Sequence, residues 1–513
     1  MHKLLPASLA LALALPLGVH ADEASDIRAL RQEIVTMRAQ YEARLQALER
    51  RLNAAEAAVA ASGATAVAAS TAAAASTAAA GPTAAAGPTA AATAPPAAGA
   101  APAAAVGAAP AGNEPPMVVQ APAAGTSPSA PGPPRSAAGA NAFNPSIALI
   151  LSGLYTRTSQ DPANYAITGI QLPRGAEVGP GTRGFSLAES ELALAASIDP
   201  WLRGAASISL HADNTVSVEE AFVRTTSFGN GFSLKAGRFY SGIGYLNPQH
   251  SHTWDFVDNP LAYQAFLDTQ YGDDGLQLTW IAPIDQYVEL GAELGRGRSF
   301  PGSNTGRNGA GMTALTAHTG GDIGESSNWR AGLSVLNAKA TDQTLDAMNA
   351  QGVGVVNAFT GTTQVLVVDA VWKWAPNGNA TRTNFKLQGE YLRSTRDGSL
   401  VYDVDGANSP GAYRAVQSGW YLQGVYQFMP RWRVGLRTEQ IDPGSPDYGS
   451  NAASFADTGY RPRKSTLMFD FNPSEFSRLR LQFAQDRSRE GVVDNQVFLQ
   501  YQMSLGAHGA HAY

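Results

Sequence analysis

The sequence predicts an all-β transmembrane barrel of about sixteen antiparallel strands over residues 141–513, preceded by an α-helical coiled coil and a disordered linker. Three observations predict this fold class. Polar and apolar residues alternate over many short C-terminal segments, which is the pattern of a strand with two different faces. Short turns and long loops alternate between these segments. The chain also begins with a stretch typical of a secretion signal.

The alternating segments are about as long as a strand that crosses a bilayer at a tilt, which takes ~10 residues. In FKLQGEYL, Phe385, Leu387 and Tyr391 share one face, whereas Lys386 and Glu390 lie on the other. WYLQGVYQF, WRVGLRTE and VFLQYQMSL, which begin at residues 420, 432 and 497, alternate in the same way. Sixteen strands are predicted to begin near residues 146, 185, 202, 216, 232, 275, 286, 312, 329, 362, 382, 415, 432, 460, 478 and 495.

The connections between these strands fall into two kinds. Short turns are predicted at DPW, GNG, PID, GESSN, PNGN, MPR and NPSEF, and long loops at 159–184, 245–274, 299–311, 343–361, 399–414 and 444–459. Short turns at one end and long loops at the other are typical of an outer-membrane barrel. A soluble antiparallel sandwich is the alternative, because its strands alternate too but its loops need not segregate by side.

Three segments precede the barrel. Residues 1–21 combine a basic start, an apolar run and small residues before the cleavage point, which predicts a signal peptide, with a membrane anchor as the alternative. Residues 22–60 space their apolar residues by three and four, which predicts a periplasmic coiled coil or, alternatively, a single amphipathic helix on a surface. Residues 61–140 are rich in Ala and Pro with very few charges, so we expect a disordered linker.

Composition argues against several function classes. The chain has no cysteine, so it has no disulfide framework, thiolate nucleophile or cysteine metal site. Its net charge of −6 argues against a nucleic-acid partner. Neither a Gly-x-Ser-x-Gly elbow nor a phosphate-cradling Gly-x-x-x-x-Gly-Lys motif occurs, and we expect no enzyme.

The order of signal peptide, coiled coil, tether and barrel resembles trimeric porins of proteobacteria. LKAGRFYSGIGYLN, at residues 234–247, is similar to a strand and turn of phosphate-selective porins. NPSEFSRLRLQFAQDRS, at residues 472–488, resembles a group labelled zinc-regulated or TonB-dependent outer-membrane receptors. The last strand closes on Tyr513 and resembles the aromatic-ended strand that outer-membrane assembly machinery recognises, although Gly509 and His511 depart from its usual bulky apolar residues.

This resemblance implies a porin for passive diffusion of small hydrophilic solutes or ions. It implies a homotrimer surrounded by lipid of the cell outer membrane of a Gram-negative bacterium, with the N-terminal segment in the periplasm. Two alternatives stay open: a metal (zinc)-related outer-membrane receptor or uptake channel, and an envelope tether through the coiled coil. A TonB-type barrel of up to 22 strands does not fit, because residues 22–140 offer no core for a plug domain.

The connection between the predicted strands five and six, at 245–274, is the third outer loop and holds two of the eight histidines, because the outer connection after strand three is short. In porins the corresponding loop folds into the barrel, so the resemblance implies that this loop narrows the pore. The predicted constriction residues are Asn247, His250, His252, Trp254, Asp255 and Asp258. Asp268, Asp273 and Asp274 follow in the same loop.

The predicted pore wall is charged. The polar faces of strands thirteen and fifteen, across the ring from this loop, carry Arg433, Arg437, Arg478 and Arg480. We expect the acidic loop to face this wall across water, with a transverse field that favours ions of one sign. Ordinary lumen polarity is the alternative. Lys235, Glu189 and Glu191 complete the predicted wall.

The histidine pair is a candidate metal site. His250 and His252 are two residues apart, so an extended segment would place them on one face, and Asp255 or Asp258 could supply a further ligand. Histidines that line water or pack on Trp254 are the alternative. No cofactor is expected beyond this candidate zinc ion. His508 and His511 form a second pair near the end of the last strand.

Overall fold

The computed structural model describes residues 145–226, 228–303, 308–457 and 459–506. The predicted signal peptide, coiled coil and linker lie outside these residues, as do His508 and His511. The described part forms sixteen main strands: β1 Ser146–Thr158, β2 Ser190–Ser197, β3 Leu202–Leu210, β4 Val216–Thr225, β5 Phe232–Tyr240, β6 Gly272–Ile281, β7 Tyr287–Gly295, β8 Met312–Ile323, β9 Ser327–Met348, β10 Gly354–Trp374, β11 Asn384–Tyr402, β12 Ser409–Met429, β13 Trp432–Asp442, β14 Arg463–Ser474, β15 Ser477–Arg487 and β16 Asp494–Gly506.

The smaller elements lie in the connections. Two short strands, Leu172–Pro173 and Gly184–Leu187, fall between β1 and β2. Helix α1 spans Leu261–Leu267, and short 3₁₀ segments span Pro162–Asn164, Ser251–Thr253, Pro376–Gly378 and Gly449–Ser454. Within the described ranges, no helix is both long enough and apolar enough to cross a membrane.

The sheet closes on itself through β1. This strand pairs antiparallel with β2 on one side and with β16 on the other, so that Ala148 lies opposite both Ala193 and Gly506. Each other strand pairs antiparallel with its neighbours in chain order. The described residues therefore form an antiparallel barrel of sixteen main strands, which confirms the predicted strand number.

Two predicted long loops are wrong. The stretches 343–361 and 399–414 mostly continue as strand, because β9, β10, β11 and β12 run for 22, 21, 19 and 21 residues. These hairpins extend well beyond the ~10 residues that cross a bilayer. Their inward side chains, including Leu345, Phe359 and Tyr413, pack together as a small apolar cluster. This non-local pairing outweighs the local turn signal of the Asn, Asp and Gly residues at the two tips.

The barrel is apolar outside and largely polar inside. Along β12, Leu422 and Tyr426 are exposed, whereas Gln423 is buried. Along β15, Leu479 is exposed, whereas Arg480 is only 1% exposed. A soluble protein places its apolar residues inside, so this barrel has the reverse polarity, which suits a lipid surround.

Part of the lumen is filled by an apolar cluster. Helix α1 contributes Leu261, Tyr263 and Phe266, and the long connection after β1 contributes Ile167 and Ile170. These residues pack against inward apolar side chains of the wall: Met312, Ala314, Leu336, Val365, Val367, Leu392, Tyr421 and Ile441. Two long connections therefore fold into the barrel, and the apolar part of the inner wall holds them there.

Replacing an outward apolar residue by a cation tests the lipid-facing surface. Leu436→Arg, at a position on β13 that is 63% exposed, should lower the free energy of unfolding by ~2–4 kcal/mol, because the charge enters hydrocarbon. Val353→Arg is the matched control. Val353 is 57% exposed but lies at the tip of the β9–β10 hairpin, where a cation should lower the free energy of unfolding by only ~0–1 kcal/mol. Urea unfolding in phospholipid vesicles measures both. Equal small losses would contradict a membrane-facing outer surface.

Candidate functional site in the barrel lumen

The connection between β5 and β6, residues 241–271, folds into the lumen and is called the inner loop below. Its two ends are joined by Asn247, which is fully buried. The amide of Asn247 donates to the carbonyl oxygens of Ser241 and Tyr271, at 2.8 and 2.9 Å, and its own oxygen accepts from the backbone N–H of Tyr271 at 2.8 Å. Asn247 therefore holds the neck of the loop closed, whereas its predicted role is to line the pore.

The middle of the inner loop is anchored by Asp258. Its carboxylate lies 3.0 Å from Nη2 of Arg437 on β13 and 2.5 Å from Nζ of Lys464 on β14. The amide of Gln482 on β15 donates to the same carboxylate at 2.8 Å. Three neighbouring strands thus converge on a single side chain of the loop.

A second anchor is formed by Asp255 and the backbone beside it. The carboxylate of Asp255 pairs with Lys386 on β11 and lies 3.5 Å from Arg433 on β13. The carbonyl oxygen of Trp254 accepts from Nη2 of Arg480 at 3.0 Å. Arg478 donates to the carbonyl oxygen of His252 at 2.9 Å. Six inward cations of β11 to β15 are called the basic wall below: Lys386, Arg433, Arg437, Lys464, Arg478 and Arg480.

The basic wall is in direct contact with the loop, whereas the prediction was that water would separate the two. The carboxylate of Asp470 on β14, which is 0% exposed, also lies within the wall, 2.8 Å from Arg480 and against Arg433. Burial alone raises the pKa of Asp258, but Lys464 and Arg437 outweigh burial and hold the pKa of that carboxyl well below its usual range. These ion pairs are buried, so removing one partner leaves an uncompensated charge. Such a change typically lowers the free energy of unfolding by ~3–5 kcal/mol.

The other side of the inner loop presents histidines to a wall of glutamates. Nδ1 of His250 lies 3.0 Å from Oε2 of Glu219 and 3.4 Å from Oε2 of Glu191, and Nε2 lies 3.0 Å from Glu220. Nδ1 of His252 lies 2.9 Å from Glu191. Burial alone lowers the pKa of His250, but the surrounding glutamates outweigh burial and raise that pKa well above its usual value.

A β-bulge explains why two consecutive glutamates contact one histidine. Ser207 on β3 is opposite Glu220, while the next residue, Ile208, is opposite Val218, so Glu219 is an extra residue in β4. A bulge redirects side chains that would otherwise alternate between the two faces of a sheet. Both Glu219 and Glu220 therefore reach the lumen side.

Most of the predicted site residues lie in two groups, one at the glutamates and one at the basic wall. His250 and His252 lie with Glu189 and Glu191, and Ser251 donates to Glu189 at 2.8 Å. Trp254, Asp255 and Asp258 lie against the arginines. Lys235 faces inward from β5, over the rings of Phe222 and Phe239 at 4.8 and 5.2 Å. Asp273 and Asp274, expected in the loop, belong to β6.

Five residues of the site were not predicted from the sequence: Glu219, Glu220, Lys386, Lys464 and Asp470. Lys386 and Asp470 each stand between two apolar neighbours and are visible as polar lining once the strands are assigned. The alternation does not say which part of the loop each of them meets. Glu219 breaks the alternation, and a single sequence carries no signal for that bulge.

The comparisons with known proteins concern the barrel. No family model matches the chain. An uncharacterized protein of Aquifex aeolicus (strain VF5) is 29% identical over 398 residues, which cover 72% of this chain and 80% of that protein.

Similar solved structures include OmpT of Vibrio cholerae in its trimer form, which is 11% identical, with 71% of this chain and 100% of that chain covered and a TM-score of 0.44. The outer membrane channel DcaP of Acinetobacter baumannii is 13% identical, with 71% and 97% covered and a TM-score of 0.43. An anion-selective porin from Comamonas acidovorans is 11% identical, with 71% and 99% covered and a TM-score of 0.42. The barrel assignment itself rests on the strand pairing described above.

Removing the Asp258 carboxylate should loosen the inner loop. In Asp258→Asn, Arg437 and Lys464 lose a buried partner. The free energy of unfolding should therefore fall by ~3–5 kcal/mol, the usual magnitude for such pairs. Hydrogen exchange of the amides of residues 255–267 should accelerate strongly. Asp274→Asn is the control, because Asp274 pairs with Arg238 at 2.7 Å where both side chains are about one-third exposed, and exposed pairs contribute only ~0–1 kcal/mol. Equal exchange in parent and Asp258→Asn would show that the ion pairs do not seat the loop.

The contribution of Asp258 should persist into mildly acidic solution. Its pKa is lower in the folded than in the unfolded protein, where an aspartate titrates near ~3.9. The stabilisation is therefore complete above the unfolded pKa and disappears only as the pH falls through the lower folded pKa. The difference in unfolding free energy between parent and Asp258→Asn should stay constant from about pH 7 to about pH 5 and shrink only at lower pH. A difference that already shrinks between those two values would contradict the lowered pKa.

Proposed function

We propose that this protein is an outer-membrane channel through which small hydrophilic solutes or ions diffuse passively, with the inner loop narrowing the lumen. One observation carries the proposal: a charged loop crosses the interior of a barrel whose outer surface is apolar, and it pairs with charged residues of the inner wall on both sides. An apolar outer band and a polar interior are the arrangement of a transmembrane barrel that contains water.

The two walls give the proposed channel its electrostatic character. Glu191, Glu219 and Glu220 lie on β2 and β4, whereas the basic wall lies on β11 to β15. A solute that passes the loop would therefore cross a field directed from the basic wall to the glutamates. Such a transverse field orients dipolar solutes and favours ions of one sign.

The proposal extends to the N-terminal segments that lie outside the described residues. Residues 1–21 would direct export, residues 22–60 would form a periplasmic coiled coil, and residues 61–140 would tether it to the barrel. Ile and Leu recur along the seam of 22–60, a pattern that supports association of several chains. A homotrimer held by both the coiled coil and the barrel walls is consistent with this organisation.

Single-channel recording in planar bilayers tests the channel and the loop together. Deleting residues 248–258 should raise the conductance, because it removes His250, Asp255 and Asp258 from the lumen. Deleting residues 350–352 is the control, since this exposed turn between β9 and β10 lies outside the lumen contacts, and the conductance should not change. Absence of current from correctly folded parent protein would overturn the channel. Equal conductance of parent and 248–258 deletion would overturn the constriction.

A further inference from the structure

The contacts between the inner loop and the glutamate wall resemble a ligand sphere more than a set of ion pairs. Glu191, Glu219 and His250 each offer one donor atom, and these three atoms all lie within 4.8 Å of one another. Nδ1 of His250 lies 3.0 Å from Oε2 of Glu219 and 3.4 Å from Oε2 of Glu191. Ligands at zinc-to-nitrogen and zinc-to-oxygen distances of ~2.0–2.2 Å in a tetrahedron are roughly 3.3–3.6 Å apart, so the spacing suits one small cation.

A fourth donor stands beside this triangle. Nδ1 of His252 lies 2.9 Å from Oε2 of Glu191, and the rings of His250 and His252 are stacked with centroids 5.7 Å apart. His252 is buried, at 4% exposure. Two carboxylates and two imidazoles are a complete donor set for a four-coordinate transition-metal ion.

Outer contacts hold Glu191, Glu219 and His250 in a binding orientation. Ser207 donates to Oε1 of Glu191 at 2.7 Å, and Ser209 donates to Oε1 of Glu219 at 2.6 Å. Both carboxylates therefore keep Oε2 directed at His250. Glu220 lies 3.0 Å from Nε2 of His250 and can accept its proton, which leaves Nδ1 free to bind a metal. A carboxylate that orients a histidine in this way is the usual outer partner of a metal-binding imidazole.

One buried oxygen shows that the ligand sphere is not completed by hydrogen bonds. Oε2 of Glu191 has no hydrogen-bond partner among the described residues, and Glu191 is only 3% exposed. Nδ1 of His252 lies 2.9 Å and Nδ1 of His250 lies 3.4 Å from this oxygen, both as ion-pair contacts. The oxygen and the two ring nitrogens therefore converge, and a cation between them would be coordinated by all three atoms.

The charge balance of the cluster also favours a bound cation. Glu189, Glu191, Glu219 and Glu220 bring four carboxyl groups around two imidazoles, and Lys235 and the ring of Tyr240 lie nearby. Like charges that are buried together repel one another unless protons or a cation offset them. A divalent ion would offset two of these charges at the point where the donor atoms converge.

We propose that Glu191, Glu219 and His250, with His252 as the fourth ligand, bind a divalent transition-metal ion of the kind that favours imidazole and carboxylate donors. The site joins the inner loop to β2 and β4, so a bound ion would cross-link the loop to the wall opposite the basic wall. The ligands come from three separate segments of the chain, and the chain offers no thiolate. Zn²⁺ is therefore the probe of choice.

Calorimetric titration of the detergent-purified full chain, stripped with chelator and titrated with zinc chloride at neutral pH, tests this site. One ion should bind per chain. His250→Ala, and separately Glu191→Gln with Glu219→Gln, should abolish this binding. Glu220→Gln should weaken it ~10–100-fold, because Glu220 only orients the imidazole. His318→Ala is the matched control: His318 is buried and lies 3.4 Å from Glu289 on another part of the wall, and its loss should change nothing.

A spectroscopic readout separates ligation from a structural effect. Co²⁺ in the parent should give visible absorption bands of a four-coordinate site, and these bands should disappear in His250→Ala. Glu191→Gln alone, which preserves side-chain size, serves where His250→Ala does not fold. Absence of binding in the folded parent would overturn the proposal. Unchanged binding in all ligand variants would do the same and would direct attention to His508 and His511. The assay measures heat and absorbance, so its outcome does not depend on channel activity.

Discussion

The architecture depends on closure of the hydrogen-bonded sheet. β1 completes the ring by pairing with both β2 and β16, so that no main strand has a free edge among the described residues. Once the ring is closed, every side chain must point either outward or into the lumen, because successive residues of a strand alternate between faces. Leu422 and Leu436 then have to face outward, and Gln423 and Arg437 inward.

Closure also determines how the charges inside are balanced. Arg437, Lys464 and Arg480 are nearly inaccessible, at 3%, 1% and 1% exposure, and such groups are stable only when anions meet them. The wall itself supplies Asp470, and the inner loop supplies Asp255 and Asp258. The loop is therefore part of the charge balance of the barrel, and its position is specified by buried pairs rather than by packing alone.

The inner loop uses different chemistry on its two sides. Towards β13 to β15 its carboxylates meet cations that are already charged, and the pairs need no further ligand. Towards β2 and β4 its histidines meet carboxylates, which outnumber the two imidazoles. The apolar packing of α1, around Leu261 and Phe266, is a third contact between the loop and the inner wall.

The sequence by itself determined the features that follow from local periodicity. Alternation in FKLQGEYL and WYLQGVYQF specified which side chains face out, and the starts of β3, β4, β5, β8 and β13 were located to the residue, because a period of two is a property of the strand alone. The length of the third outer loop and its histidine spacing were equally visible. Tertiary structure decided what depends on pairing between distant segments. The register of β3 against β4 makes Glu219 a bulge residue, hairpin pairing extends β9 to β12 past their turn-like residues, and the fold of the loop brings Asp258 to Lys464 and His250 to Glu219. These contacts join residues far apart in the chain, and no local pattern records such distances.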